Sequence, residues 1–129
     1  MKVKKVAIVY NPNKLSSISS AEKVFHNIIS DLKNNGEKFR ILHNKRAIFE
    51  SGTKVEKVPL GTSLLGQRIT HLYIDESVMD LDNGDKFVYE ILLPCVIPYG
   101  NYINLDVDGD IKDRVFTFNH EGNVEKLEK

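Results

Sequence analysis

An α/β fold, with a mostly parallel sheet flanked by helices, is the class this sequence predicts. Three observations carry it. Val3 to Tyr10 is rich in β-branched residues and is cut off by Asn11-Pro12-Asn13, as a buried strand would be. Val24, Phe25, Ile28, Ile29 and Leu32 then recur at helical spacing. Thr70 to Ile74 is a second short apolar run, and Phe87, Val88, Ile91 and Leu92 follow it at helical spacing. Strands alternating with helices make layers of helix on sheet.

In chain order, Ser19-Ser20-Ala21-Glu22 has the pattern of a capping box and predicts the start of the first helix, which Gly36 ends. Phe39 to His43 predicts a second strand. Ala47-Ile48-Phe49, Ser51-Gly52 and Thr53 to Val58 predict a β-hairpin. Leu60 to Arg68 is a polar loop punctuated by glycine. After the strand Thr70 to Ile74, a helix is expected over Asp85 to Leu93, ended by Pro94, with Asp82 or Asp85 as its N-cap. Asn101 to Val107 predicts another strand. Arg114 to Asn119 and Asn123 to Leu127 predict a closing hairpin around Glu121-Gly122.

The 129 residues fit one domain, 1–129, that can bury a core without staples. A net charge of +0 gives no global electrostatic case for nucleic acid or an anionic membrane. The longest apolar run, Ile91 to Ile97, contains Pro94 and falls far short of the ~20 residues a membrane span needs. Met1 to Val9 reads as a first strand, not a signal peptide. Cys95 is the single cysteine, so no intrachain disulfide forms, and a cytoplasmic location is expected.

His71-Leu72-Tyr73-Ile74-Asp75-Glu76 carries the most chemistry. A buried strand ending in two carboxylates has the form of a Walker B element, in which Asp75 would hold Mg²⁺ and Glu76 would polarise an attacking water. The competing reading is that both cap a strand end in a solvated loop. The partner motif, G-x-x-x-x-G-K-[ST], is absent from the sequence.

In order and spacing, residues 3–108 resemble the ATPase domain of the large terminase subunit, the DNA-packaging motor of tailed phages. The matching pieces are the strand Lys5 to Tyr10, the helix Ala21 to Leu32, the hairpin Asn44 to Val58, the glycine loop Gly61 to Arg68, the acidic strand Leu72 to Glu76 and the segment Phe87 to Leu105. The resemblance implies a P-loop NTPase-like core with a β-hairpin insertion, and the C-terminal hairpin lies outside it. In that family the phosphate loop would lie upstream of Val3. Here the loop glycine Gly66 follows Leu65 where the family often has arginine, with Arg68 two residues later. The segment after the acidic strand reads Asn104-Leu105-Asp106-Val107-Asp108-Gly109 instead of ending in small hydroxyl residues.

These departures point away from autonomous ATP hydrolysis. The expectation is a degenerate or split component of phage type linked to DNA packaging, in the host cytoplasm, either a non-catalytic interaction module or a partial subunit. Mg²⁺ and ATP enter only with a partner supplying the phosphate loop. The partner expected is a protein, either a packaging-motor component or a second copy of the chain. DNA is a further candidate and no membrane is involved.

A different class stays open: a metal-dependent hydrolase of phosphate esters using Asp75, Glu76, Asp80, Asp82 and Asp85. For DNA, Lys45, Arg46 and Arg68 are the candidate phosphate contacts, within a wider group that includes Lys33, Lys38, Arg40, Lys54 and Lys57. Asp106 to Asp110 lacks the spacing of a calcium loop and reads as a tight turn. His26, His43, His71 and His120 form no H-x-x-x-H pair, so zinc is not expected.

Overall fold

A central strand that is apolar on both sides organises the molecule. The computed structural model describes residues 2–34, 36–62, 64, 68–98, 100 and 104–127. Strand β1 (Lys5–Tyr10) has parallel neighbours on either side, β4 (Lys54–Pro59) and β5 (His71–Asp75). Beyond β4 lie β3 (Arg46–Phe49) and the edge strand β2 (Phe39–Leu42), and beyond β5 lie β6 (Val115–Phe118) and β7 (Val124–Lys126). The order of the seven-stranded sheet is β2-β3-β4-β1-β5-β6-β7.

Two cores follow from the alternation of side chains along β1. Val6 and Ile8 face helix α1 (Leu15–Lys33) and pack with Ala21, Val24, Phe25 and Ile29. Ala7 and Val9 face the other way and join Leu72, Ile74, Val78, Val88 and Leu92. Burial on both faces is why β1 reads as a continuous apolar run. The second face is covered by two short helices, α2 (Glu76–Met79) and α3 (Gly84–Phe87), and by the turns that follow them.

Several expectations need correction. The sheet is mixed: β1–β4, β1–β5 and β5–β6 are parallel, but β2–β3, β3–β4 and β6–β7 are antiparallel. Short connections that reverse the chain can join only antiparallel strands. Helix α1 begins at Leu15, ahead of the serine pair, with Lys14 as an N-cap that makes no side-chain hydrogen bond. Ser17 and Ser20 are buried and extend the stripe of Ala21 and Val24 by another turn. Glu22 closes no capping box. It pairs with Lys57 Nζ and, at 2.9 Å, with His26 Nε2.

The helix expected over Asp85 to Leu93 is only briefly α-helical. It passes into a π-turn at Val88–Leu92 and a 3₁₀ turn at Leu93–Cys95 that contains Pro94. The proline ring clashes with the carbonyl four residues back in a regular α-helix, so the ladder changes pitch around it. The N-cap of α3 is Asn83, in neither case an aspartate. Leu105 makes an isolated bridge to Val3 where a strand was expected, because Asn104 turns the backbone to a φ of 66°. Leu65, Gly66 and the expected strand residues 101–103 lie outside the described residues.

Candidate functional site

The chain leaves β1 through α1 toward the β4 side of the sheet and leaves β5 through α2 and α3 toward β6. The neighbours β1 and β5 therefore diverge at their carboxyl ends, which is where open α/β sheets bind ligands. Asn11 follows β1 at this point, and Asp75 ends β5.

Asp75 is 3% exposed and its backbone is extended, so it serves as the N-cap of α2. Its Oδ1 accepts a hydrogen bond from the Ser77 N–H at 3.2 Å. Its Oδ2 and the Ser77 Oγ are buried without a hydrogen-bond partner among the described residues. Glu76, the next residue, is exposed, as are Asp80, Asp82 and Asp85. Magnesium wants an octahedron of oxygens with several waters. One sealed carboxylate oxygen does not fit that demand. No group of three or more His, Cys, Asp or Glu among the described residues is placed to hold a metal ion.

A cavity of about 510 Å³ opens beside this point, and neither Asp75 nor Glu76 lines it. It lies between the loop that follows β4, at Leu60 and Gly61, and the stretch from Val78 to Cys95. Its inner wall is Leu64, Val78 and Leu92 of the second core. Its rim carries Leu81, 41% exposed, and Ile91, 51% exposed. Gly84 allows the wall to close. A Cβ there would stand 2.4 Å from the Val78 carbonyl oxygen and 2.5 Å from that of Met79, so α3 approaches α2 only because the side chain is missing.

The candidate phosphate contacts are not gathered. Arg46 lies opposite Glu56 on β4, with Nε 3.8 Å from Oε2, and Lys54 Nζ reaches the other oxygen of Glu56 at 3.6 Å. Lys45 immediately precedes β3. Lys57 lies 5.0 Å above the Phe25 ring and pairs with Glu22. Arg68 precedes β5, and His71 at the start of β5 is level with Val6 near the start of β1. Arg46 is level with Glu56, which is level with Ala7. Arg68 thus lies before the entrance of β5, whereas the Lys45 carbonyl accepts from the Lys57 N–H, level with Ile8 in the middle of β1. Strands β3 and β5 are also three strand spacings apart, roughly 14 Å.

His71 is four residues before Asp75 on one strand, roughly 13 Å away, so the two do not meet. Burial, with Lys4 nearby, lowers the His71 imidazole to about 4. Its Nδ1 lies 2.8 Å from Thr70 Oγ1.

Arg114 escaped the reading of the sequence. It is 2% exposed and donates from Nη1 to the Thr70 carbonyl at 2.9 Å and from Nη2 to the Ile97 carbonyl at 2.6 Å. Burial lowers its pKa, against the opposing pull of Asp106, Asp108, Asp110 and Asp113. The available signal was one arginine closing an aspartate-rich segment just before a β-branched run. Leu81, between Asp80 and Asp82, was the equivalent signal for the cavity: a large apolar residue inside an acidic run.

Compared with known proteins, the chain has no significant match to a family model, a curated protein or a solved structure. Among the described residues, no helix is long and apolar enough to cross a membrane.

Proposed function

We propose that this chain is a non-catalytic interaction module on a degenerate ATPase-like α/β core, with β3–β4 as its hairpin insertion. The observation that carries the reading is the placement of Asp75. Its side chain is buried and committed to the start of α2, while Glu76 stands in solvent. The two carboxylates do not face one ligand. The sequence also holds no phosphate-loop motif of the kind that cradles a nucleotide. By resemblance, a packaging motor is the class of partner to try first. The metal-dependent hydrolase draws no support from carboxylates of which Asp75 is buried and Glu76, Asp80, Asp82 and Asp85 are dispersed along the exposed α2–α3 stretch.

One observation favours a second reading. The Oδ2 of Asp75 makes no hydrogen bond among the described residues, and a donor brought by another chain would satisfy it, as in a split ATPase. Calorimetric titration of Mg²⁺–ATP into the wild type and Asp75→Asn tests the module. The module gives no saturable heat at millimolar nucleotide. Saturable binding lost in Asp75→Asn overturns the module in favour of a nucleotide site that Asp75 completes within this chain.

A further inference from the structure

We propose that the cavity between the loop after β4 and the α2–α3 stretch docks a basic amphipathic segment of a partner protein, which inserts an apolar side chain. The proposal rests on the interaction-module reading and names the surface through which it works. The apolar surface does not stop at the cavity. Its inner wall is part of the core, and its rim adds Leu81 and Ile91, both exposed. Three successive apolar residues, Ile91-Leu92-Leu93, cannot share one helical face, and the fold turns Leu92 inward and Ile91 outward.

Charge selects the occupant. Glu76, Asp80, Asp82, Asp85 and Glu90 are all exposed on this one stretch. The only cation among them is Lys86, 4.0 Å from Glu90. The whole chain has net charge +0, so this negative field is local. It repels phosphate-bearing ligands and attracts Lys and Arg flanking an apolar anchor. An apolar groove entered by an amphipathic segment is a recurrent mode of peptide recognition. The same carboxylates that fail to assemble around a metal would thus steer a partner.

The test uses synthetic Leu/Lys, Leu/Glu and Ser/Lys amphipathic peptides, titrated into the isotopically labelled full chain and followed by amide chemical shifts. The expected result is saturable binding of the Leu/Lys peptide alone, with shifts confined to Leu60–Leu64 and Val78–Cys95. Ile91→Ser and the pair Asp80→Lys with Asp82→Lys should each weaken it tenfold or more. These positions are exposed, and unchanged shifts elsewhere establish that the variants fold. The proposal is overturned if the Leu/Lys peptide fails to bind, if Leu/Glu or Ser/Lys binds as well, or if Ile91→Ser binds like the wild type. Self-association through Ile91, seen as concentration-dependent shifts without peptide, would also overturn it in favour of a second copy. A silent peptide titration with silent Mg²⁺–ATP discards this surface and keeps the module. Nucleotide binding discards the module itself.

Discussion

The Arg114 guanidinium donates to the carbonyl oxygen of Thr70 at 2.9 Å, across a gap of 44 residues in sequence. A second bond to the Ile97 carbonyl joins the segment after α3 to the same point. One side chain therefore ties the entrances of β5 and β6 to the loop between them.

Arg114→Met would keep much of the buried stem and lose both bonds. Two carbonyls would be left without a charged donor, and a loss of about 3 kcal/mol is expected. Urea denaturation of the two proteins measures it. A loss well under about 1 kcal/mol would show that the ties are dispensable.

Asp75 separates capping from charge. Asp75→Ala removes the acceptor for the Ser77 N–H and should cost about 1 kcal/mol, the ordinary worth of an N-cap. Asn retains an oxygen for that bond, so Asp75→Asn should lose clearly less. Equal losses in the two variants would mean that capping is not what Asp75 contributes.

Gly84→Ala places a methyl group 2.4 and 2.5 Å from two backbone carbonyl oxygens, so the backbone must shift. Overpacking of this kind costs on the order of 1–3 kcal/mol. Thermal unfolding should show the loss, and amide shifts in α2 and α3 should move with it. A variant as stable as the wild type would mean that α3 is free to slide away from α2.

His71 gives a pH dependence with a definite sign. Above its ordinary value of 6.5 the ring is neutral in both folded and unfolded chains. Between 6.5 and about 4 the unfolded chain takes up a proton that the folded chain refuses, so stability falls as the pH drops. The full loss is roughly 3 kcal/mol, and it levels off below the folded value. His71→Gln should remove this component. Denaturant midpoints of both proteins at pH 7.5 and 4.5 check it, and parallel losses would show that His71 is not the group responsible.

Much of the fold was legible because its signals are local. The β-branched run of β1 and the Asn-Pro-Asn stop announce a buried strand without help from distant residues. So does the short run of β5, whose carboxylate end needed only Asp75 and Glu76 to be noticed. The errors arose where distant partners decide. Glu22 fits a capping box by spacing, but Lys57 holds it from another strand. Ser17 and Ser20 look like loop residues and are buried because β1 lies beneath them. For the candidate site, the sequence placed the carboxylates together, and the backbone then turned Asp75 in and Glu76 out. Arg68 and Lys45 were grouped as phosphate contacts, yet strand order sets β3 and β5 three spacings apart. The cavity left only Leu81 as a trace in the sequence, since it is made where a loop and a change of helical pitch meet.

The position of β1 has a consequence for how the chain acquires its shape. This strand is made early, yet its neighbours β4 and β5 arrive only after the whole of α1 and the meander have been made. Strands β2, β3 and β4 meet through short antiparallel turns and can zip locally. Distant parallel pairing is slower, because the loop must close before any contact rewards it. During synthesis β1 therefore waits longer for its neighbours than any strand made after it. Until β5 arrives, the apolar edge of β1 is the surface on which a chaperone or a stray neighbour would find its hold.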